Sequence, residues 1–121
     1  DKKNKDYPYV RHKDFFDGHS WASGLFQQSN GKGQESSSEA VNAYYAVKLY
    51  AEATNDVDLG RFAQLMLTME IQAIKYYWHI INFDIYDQKF GASRMVGNIG
   101  GLDVTTSTVS SFFSFLSFFL Y

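Results

Sequence analysis

Glu35 and Glu39, in the run QESSSEA, stand four residues apart, a spacing that can turn two carboxylates toward one site. Each also has an ordinary reading. Glu39 falls at the third position of a predicted helix, where glutamate commonly returns a hydrogen bond to the cap and favours the positive helix end. Glu35 lies outside that helix, so its direction depends on the loop, and alone it reads as a solvated acid. A third acid, Asp17 in FDGHSWA, precedes glycine and equally suits a turn. His12, Asp14, Asp17 and His19 are metal-ligating types, but their spacing fits no tight zinc motif, and no metal is expected. His79, near a predicted helix end, reads as a C-terminal cap or a partly buried histidine rather than a catalytic base. No nucleophile elbow, phosphate-binding glycine loop or dinucleotide fingerprint occurs in the sequence.

The acids depend on two predicted helices. Ser36 and Glu39 form an S-x-x-E capping box, and the helix it opens should run over residues 37–54. Ala40, Ala43, Tyr44, Val47, Tyr50 and Ala51 recur at three- and four-residue steps and mark its apolar face. Asn55-Asp56 ends it, and Asp56 or Asp58 can cap a second helix over residues 58–80. Leu59, Phe62, Ala63, Met66, Met69, Ala73, Ile74 and Tyr77 form the second stripe. The short join makes the pair antiparallel neighbours. Around them, residues 1–14 are polar and extended, 15–27 read as a loop entering a short helix, 28–34 as a loop and 82–103 as mixed. Residues 104–121 are a low-complexity tail without charge. The expected class is all-α, with residues 1–103 as one partial domain.

Composition narrows the function classes. With 121 residues the chain suffices for one small core. A formal charge of −2 argues against nucleic acid, which calls for a basic patch. Without cysteine there is neither a disulfide framework nor a thiolate metal site. No segment reaches the roughly 20 apolar residues of a membrane span, and no signal segment opens the chain. Eleven Phe, nine Tyr and two Trp exceed what a small core usually needs. The surplus suits a helix core, its commoner use, or a carbohydrate groove, where sugar faces stack on rings and hydroxyls take hydrogen bonds.

Three segments taken together, RHKDFFDGHSWASGLF (residues 11–26), QESSSEAVNAYYAVKLY (34–50) and LMLTMEIQAIKYYWH (65–79), resemble glycoside hydrolase family 81, the endo-β-1,3-glucanases of fungi, oomycetes, plants and some bacteria. The resemblance covers residues 11 to about 81 and continues more weakly to Arg94-Met95-Val96. It implies a β-sandwich joined to an (α/α)6 barrel, of which this chain would be a fragment. It further implies endo-hydrolysis of β-1,3-glucan with inversion, without metal or organic cofactor, by a secreted or cell-wall protein. Glu35 would be the general base, and Glu39 would support the water or the substrate. Asp17, His19 and Trp21 would line the sugar groove. Tyr44 and Tyr45 are further candidates for sugar contact, Tyr44 having the core as its alternative. Oligomeric state is not legible.

An inverting glycosidase needs a base and a separate acid, about 6.5–9.5 Å apart, with the acid held protonated. The resemblance implies that acid on an N-D-H-H-F-H-Y-type motif upstream, and no such motif occurs in these residues. The chain is therefore expected to carry the base, to lack the acid and to be inactive alone; the other reading is a non-catalytic remnant that at most binds glucan weakly. After Arg94-Met95-Val96 the sequence departs from the family pattern. Its Phe, Ser and Leu run reads either as a misread intron or frameshift or as a genuine divergent terminus, with a β-aggregation pattern in either case.

Overall fold

The computed structural model describes residues 5–6, 9–21, 31–35 and 37–106. Ser36 of the capping box, residues 22–27 of the segment expected to lead into a short helix and the tail beyond residue 106 lie outside them.

Two long helices dominate. α1 spans Ser37–Ala53 and α2 spans Val57–Ala73. α1 is alanine-rich and free of Gly and Pro, a composition with high helix propensity. The Lys48–Glu52 pair on its surface is 2.6 Å long and adds only a few tenths of a kcal/mol. The Thr54 hydroxyl donates to the Tyr50 carbonyl at 2.9 Å. Asn55 takes a left-handed φ of 55°, a conformation asparagine tolerates. The Asp56 carboxylate then accepts from the Leu59 N–H at 3.0 Å and caps α2. This turn brings α2 back to pack on α1, as the short join predicts.

The stripe expected on α2 is the one that packs. Ala63, Met66, Ala73 and Ile74 are buried, and Leu59, Phe62, Met69 and Tyr77 are half-buried; Leu67, outside the expected stripe, is buried as well. The stripe expected on α1 is not: Ala51 is its one buried residue, while Ala43, Val47 and Tyr50 are exposed, Tyr50 at 63%. A wide apolar stripe needs neighbours on both flanks, and among the described elements only α2 packs closely on α1.

The second helix does not stay α-helical to residue 80. It widens into a π turn over Ile74–Trp78, closed by the His79 N–H on the Ile74 carbonyl at 2.9 Å. A short helix, α3, follows at Gln88–Gly91, capped by Asp87.

The all-α expectation also needs correction. Gly33–Gln34 (β1), Asn98–Gly100 (β2) and Val104–Thr105 (β3) form a three-stranded antiparallel sheet in the order β1-β2-β3. Gly33 faces Gly100 and Gln34 faces Ile99, while Asn98 faces Thr105 and Ile99 faces Val104. Strands this short show no period-2 pattern. β1 and β2 approach so closely that a β-carbon at Gly33 would stand 2.6 Å from the Ile99 carbonyl oxygen. The main core links sheet and helices: Ile74, Trp78, Ile80, Val96 and Ile99 are buried together, with Trp21, Val41 and Val104 against them. No helix among the described residues is long and apolar enough to cross a membrane.

Candidate active site

The loop ahead of α1 folds onto α2 as a closed unit. Lys13 and Ser20 form an antiparallel bridge, flanked by Asp14 N–H to His19 C=O at 2.9 Å and Trp21 N–H to His12 C=O at 3.0 Å. At its tip the Asp14 carboxylate accepts the Phe16 and Asp17 N–H groups at 2.8 and 3.3 Å. These bonds hold the Asp14 carboxyl below its ordinary range. Gly18 makes the return with φ +79°, and a β-carbon there would lie 3.4 Å from both the Ala73 β-carbon and the Met69 carbonyl. Glycine therefore fits the backbone conformation and the close approach to α2.

Inside this loop, His19 is 2% exposed. Its Nδ1 lies 2.9 Å from the Ser20 carbonyl; a carbonyl only accepts, so Nδ1 carries the hydrogen. The rings of Trp21, Tyr77 and Trp78 surround it at centroid distances of 4.6, 5.5 and 5.1 Å. Tyr77 and Trp78, adjacent residues that both reach His19, stand in the π turn, a distortion frequent at functional sites. The Trp21 indole N–H donates to Asp17 Oδ2 at 3.1 Å, so Asp17, His19 and Trp21 are joined directly. On the α2 side of Asp17 lies a cleft of about 470 Å³, whose lining includes Phe15, Phe16, Tyr76 and Tyr77.

Beneath the loop is a charged cluster that sequence reasoning missed. Glu70, on the buried face of α2, is 0% exposed. Its Oε2 accepts from Lys13 Nζ at 2.6 Å, and both side chains are fully buried. Its Oε1 accepts from Gln34 Nε2, while Gln34 Oε1 accepts the Ser20 N–H at 2.8 Å. Lys13 Nζ also lies 5.0 Å from the Tyr44 ring centroid. Burial lowers the Lys13 pKa, and the Glu70 hydrogen bond and charge pull it back up. Burial, reinforced by the Glu70 charge, raises the Tyr44 hydroxyl to about 12. Burial, then the Lys13 charge, lowers His12, against an upward pull from Glu70. Near pH 7 Tyr44 is therefore protonated, and its hydroxyl shares a hydrogen bond of 3.0 Å with His12 Nε2. One signal of the cluster was present in the sequence: Glu70 stands on the apolar stripe, four residues from both Met66 and Ile74. An acid there has no partner on its own helix and requires one from elsewhere.

The remaining candidates lie just after β1, on α1 and at the end of the π turn. Glu35 is exposed, one residue beyond the clamped Gln34 and just before α1. Glu39 is exposed in the first turn of α1. Tyr44 is half-buried and engaged with His12, and Tyr45 is 49% exposed. The 12–21 loop and the Glu35 segment thus meet at Gln34. His79 caps the π turn through its backbone with its side chain exposed. His12, Asp14, Asp17 and His19 each bond within the protein, and no group of three metal-ligating side chains converges among the described residues.

Comparison with known proteins adds an independent observation. The sequence model of the glycosyl hydrolase family 81 C-terminal domain matches residues 1–109. A glucan endo-1,3-beta-D-glucosidase of Acetivibrio thermocellus is 37% identical over 91 residues, 75% of this chain and 12% of that protein. One of Glycine max is 39% identical over 96 residues, 78% of this chain and 14% of that protein. A primary septum glucan endo-1,3-beta-D-glucosidase of Schizosaccharomyces pombe is 38% identical over 71 residues, 59% of this chain and 7% of that protein. The chain therefore spans a small part of the length of the relatives it matches.

Proposed function

Because this chain belongs to the glycosyl hydrolase family 81 C-terminal domain family, we propose that its residues serve endo-hydrolysis of β-1,3-glucan with inversion of configuration, Glu35 acting as the general base. The observation that carries the residue assignment is the junction at Gln34. The Gln34 side chain, held between Glu70 and the Ser20 N–H of the 12–21 loop, ties the residue before the exposed Glu35 to the loop that carries Asp17, His19 and Trp21, which supports this reading. A carboxylate so placed can take a proton from water, which then attacks the anomeric carbon opposite the leaving oxygen. Trp21 and Tyr45 offer ring faces to sugar C–H groups, and Asp17 offers a carboxylate to hydroxyls. Glu39 supports the water or the substrate. The general acid comes from outside the residues assigned here, and the long helices are part of an (α/α)6 barrel. The setting is extracellular or the cell wall, in keeping with the septum enzyme among the relatives.

The test is hydrolysis of laminarin by the full-length protein carrying this sequence, with the anomers of the product followed by proton NMR. Oligosaccharides should appear first as α-anomers, and the isolated 121-residue segment should release none. First appearance of β-anomers overturns inversion. Glucan binding without any hydrolysis by the full-length protein favours a non-catalytic remnant instead.

A further inference from the structure

We propose that Glu70 is a positioning residue for hydrolysis: acting through the Gln34 side chain, it sets the direction in which Glu35 leaves β1. The inference rests on the reading of Glu35 as the base. Glu70 occupies a helix position surrounded by apolar neighbours and is completely buried. An ion pair in such a place is often no more stabilising than apolar residues of the same volume, so its contribution is sought in geometry. Its two oxygens serve different parts of the chain. Oε2 takes Lys13 from the 12–21 loop, and Oε1 takes Gln34 from β1. Gln34 passes the constraint on, because its own Oε1 holds the Ser20 N–H. One carboxylate therefore ties α2, the aromatic loop and β1 together.

Glu35 is the next residue along the chain. The backbone of Gln34 is paired with Ile99, and the Gly33 backbone lies against β2 with no room for a side chain. With backbone and side chain of Gln34 both held, the course of the chain into Glu35 is constrained by contacts of the residue before it. Displacing a reacting group by about 1 Å can cost about a hundredfold in rate. A contact to the residue before the base is therefore enough to influence turnover strongly.

The experiment uses the full-length protein on laminarin and compares Glu70→Met, which leaves Gln34 no acceptor on α2, with Gln34→Met, each in the wild-type and in the Glu35→Gln background. Gln34→Met removes the link and leaves the Lys13–Glu70 pair intact, so it decides the matter should Glu70→Met fail to fold. In the wild-type background we expect kcat to fall about 10–100-fold, with KM held within about threefold because the sugar contacts remain. In the Glu35→Gln background the same substitutions should leave the residual turnover unchanged, since no base remains to be misplaced. An unaltered kcat in Gln34→Met overturns the proposal, as does an equal fold-loss in both backgrounds, which marks a purely structural contact. Wild-type-like turnover of Glu35→Gln itself is a different failure: it removes the base assignment and this inference with it.

Discussion

Glu35→Gln in the full-length protein is expected to lower kcat on laminarin by about 10²–10⁴-fold, the usual contribution of a positioned acid or base, and to leave glucan binding largely in place. Glutamine keeps the shape and the hydrogen-bonding reach of the side chain but cannot accept the proton of the attacking water. The effect should fall on kcat rather than KM, because the lost interaction is made in the transition state. Binding should persist because Trp21, Tyr45 and Asp17, the candidate sugar contacts, are untouched. Steady-state kinetics with a parallel laminarin-binding measurement decide this. Undiminished kcat assigns the base elsewhere, with Glu39 the next candidate.

Lys13→Met is expected to cost about 3–5 kcal/mol of stability, the penalty for leaving one partner of a buried ion pair alone. Both side chains of the pair are fully buried, so solvent cannot replace the lost ammonium. Gln34 would then be the one hydrogen-bond donor to Glu70 that remains of the two described. Lys13→Met with Glu70→Gln should recover most of the loss, since a neutral carboxamide oxygen still accepts from Gln34 and no charge is stranded. Denaturant unfolding of the single and double variants measures both. A single variant within about 1 kcal/mol of wild type, the range of an exposed pair, would mean that water reaches Glu70.

Much of the helical frame was legible because its signals are local. Asp56 and the α2 stripe from Leu59 to Tyr77 lie within a few turns of one another, and they place that helix closely. The face of α1 was misjudged, since periodicity tells which residues share a side but not whether a neighbour covers it. Val47 and Tyr50 are exposed for that reason. The sheet was missed because its strands are two or three residues long and join Gly33 to Gly100, a pairing that no local pattern encodes. In the candidate site, Asp17, His19 and Trp21 were singled out by the family resemblance, and one short loop brings them into contact. Glu70, Lys13 and Gln34 come from three separate segments, and their convergence is a tertiary fact. The acid on an apolar stripe was the single trace of it in the sequence.

The Glu70 junction also bears on the order in which the molecule assembles and opens. α1 and α2 form through contacts near in sequence, which close early at small entropic cost. The junction joins Lys13 to Glu70 and Gln34 to the same carboxylate, and β1 waits for β2, so these closures come after the helices. Regions that depend on long closures and few contacts open at lower free energy than packed helices. Amide hydrogens of residues 13–21 and 33–35 should therefore exchange with deuterium well before those in the interior of α2. If the two sets exchanged together, helix pair and site would form one cooperative unit. With the expected separation, gentle heating abolishes turnover while the helices stand, and cooling restores it without refolding of the frame.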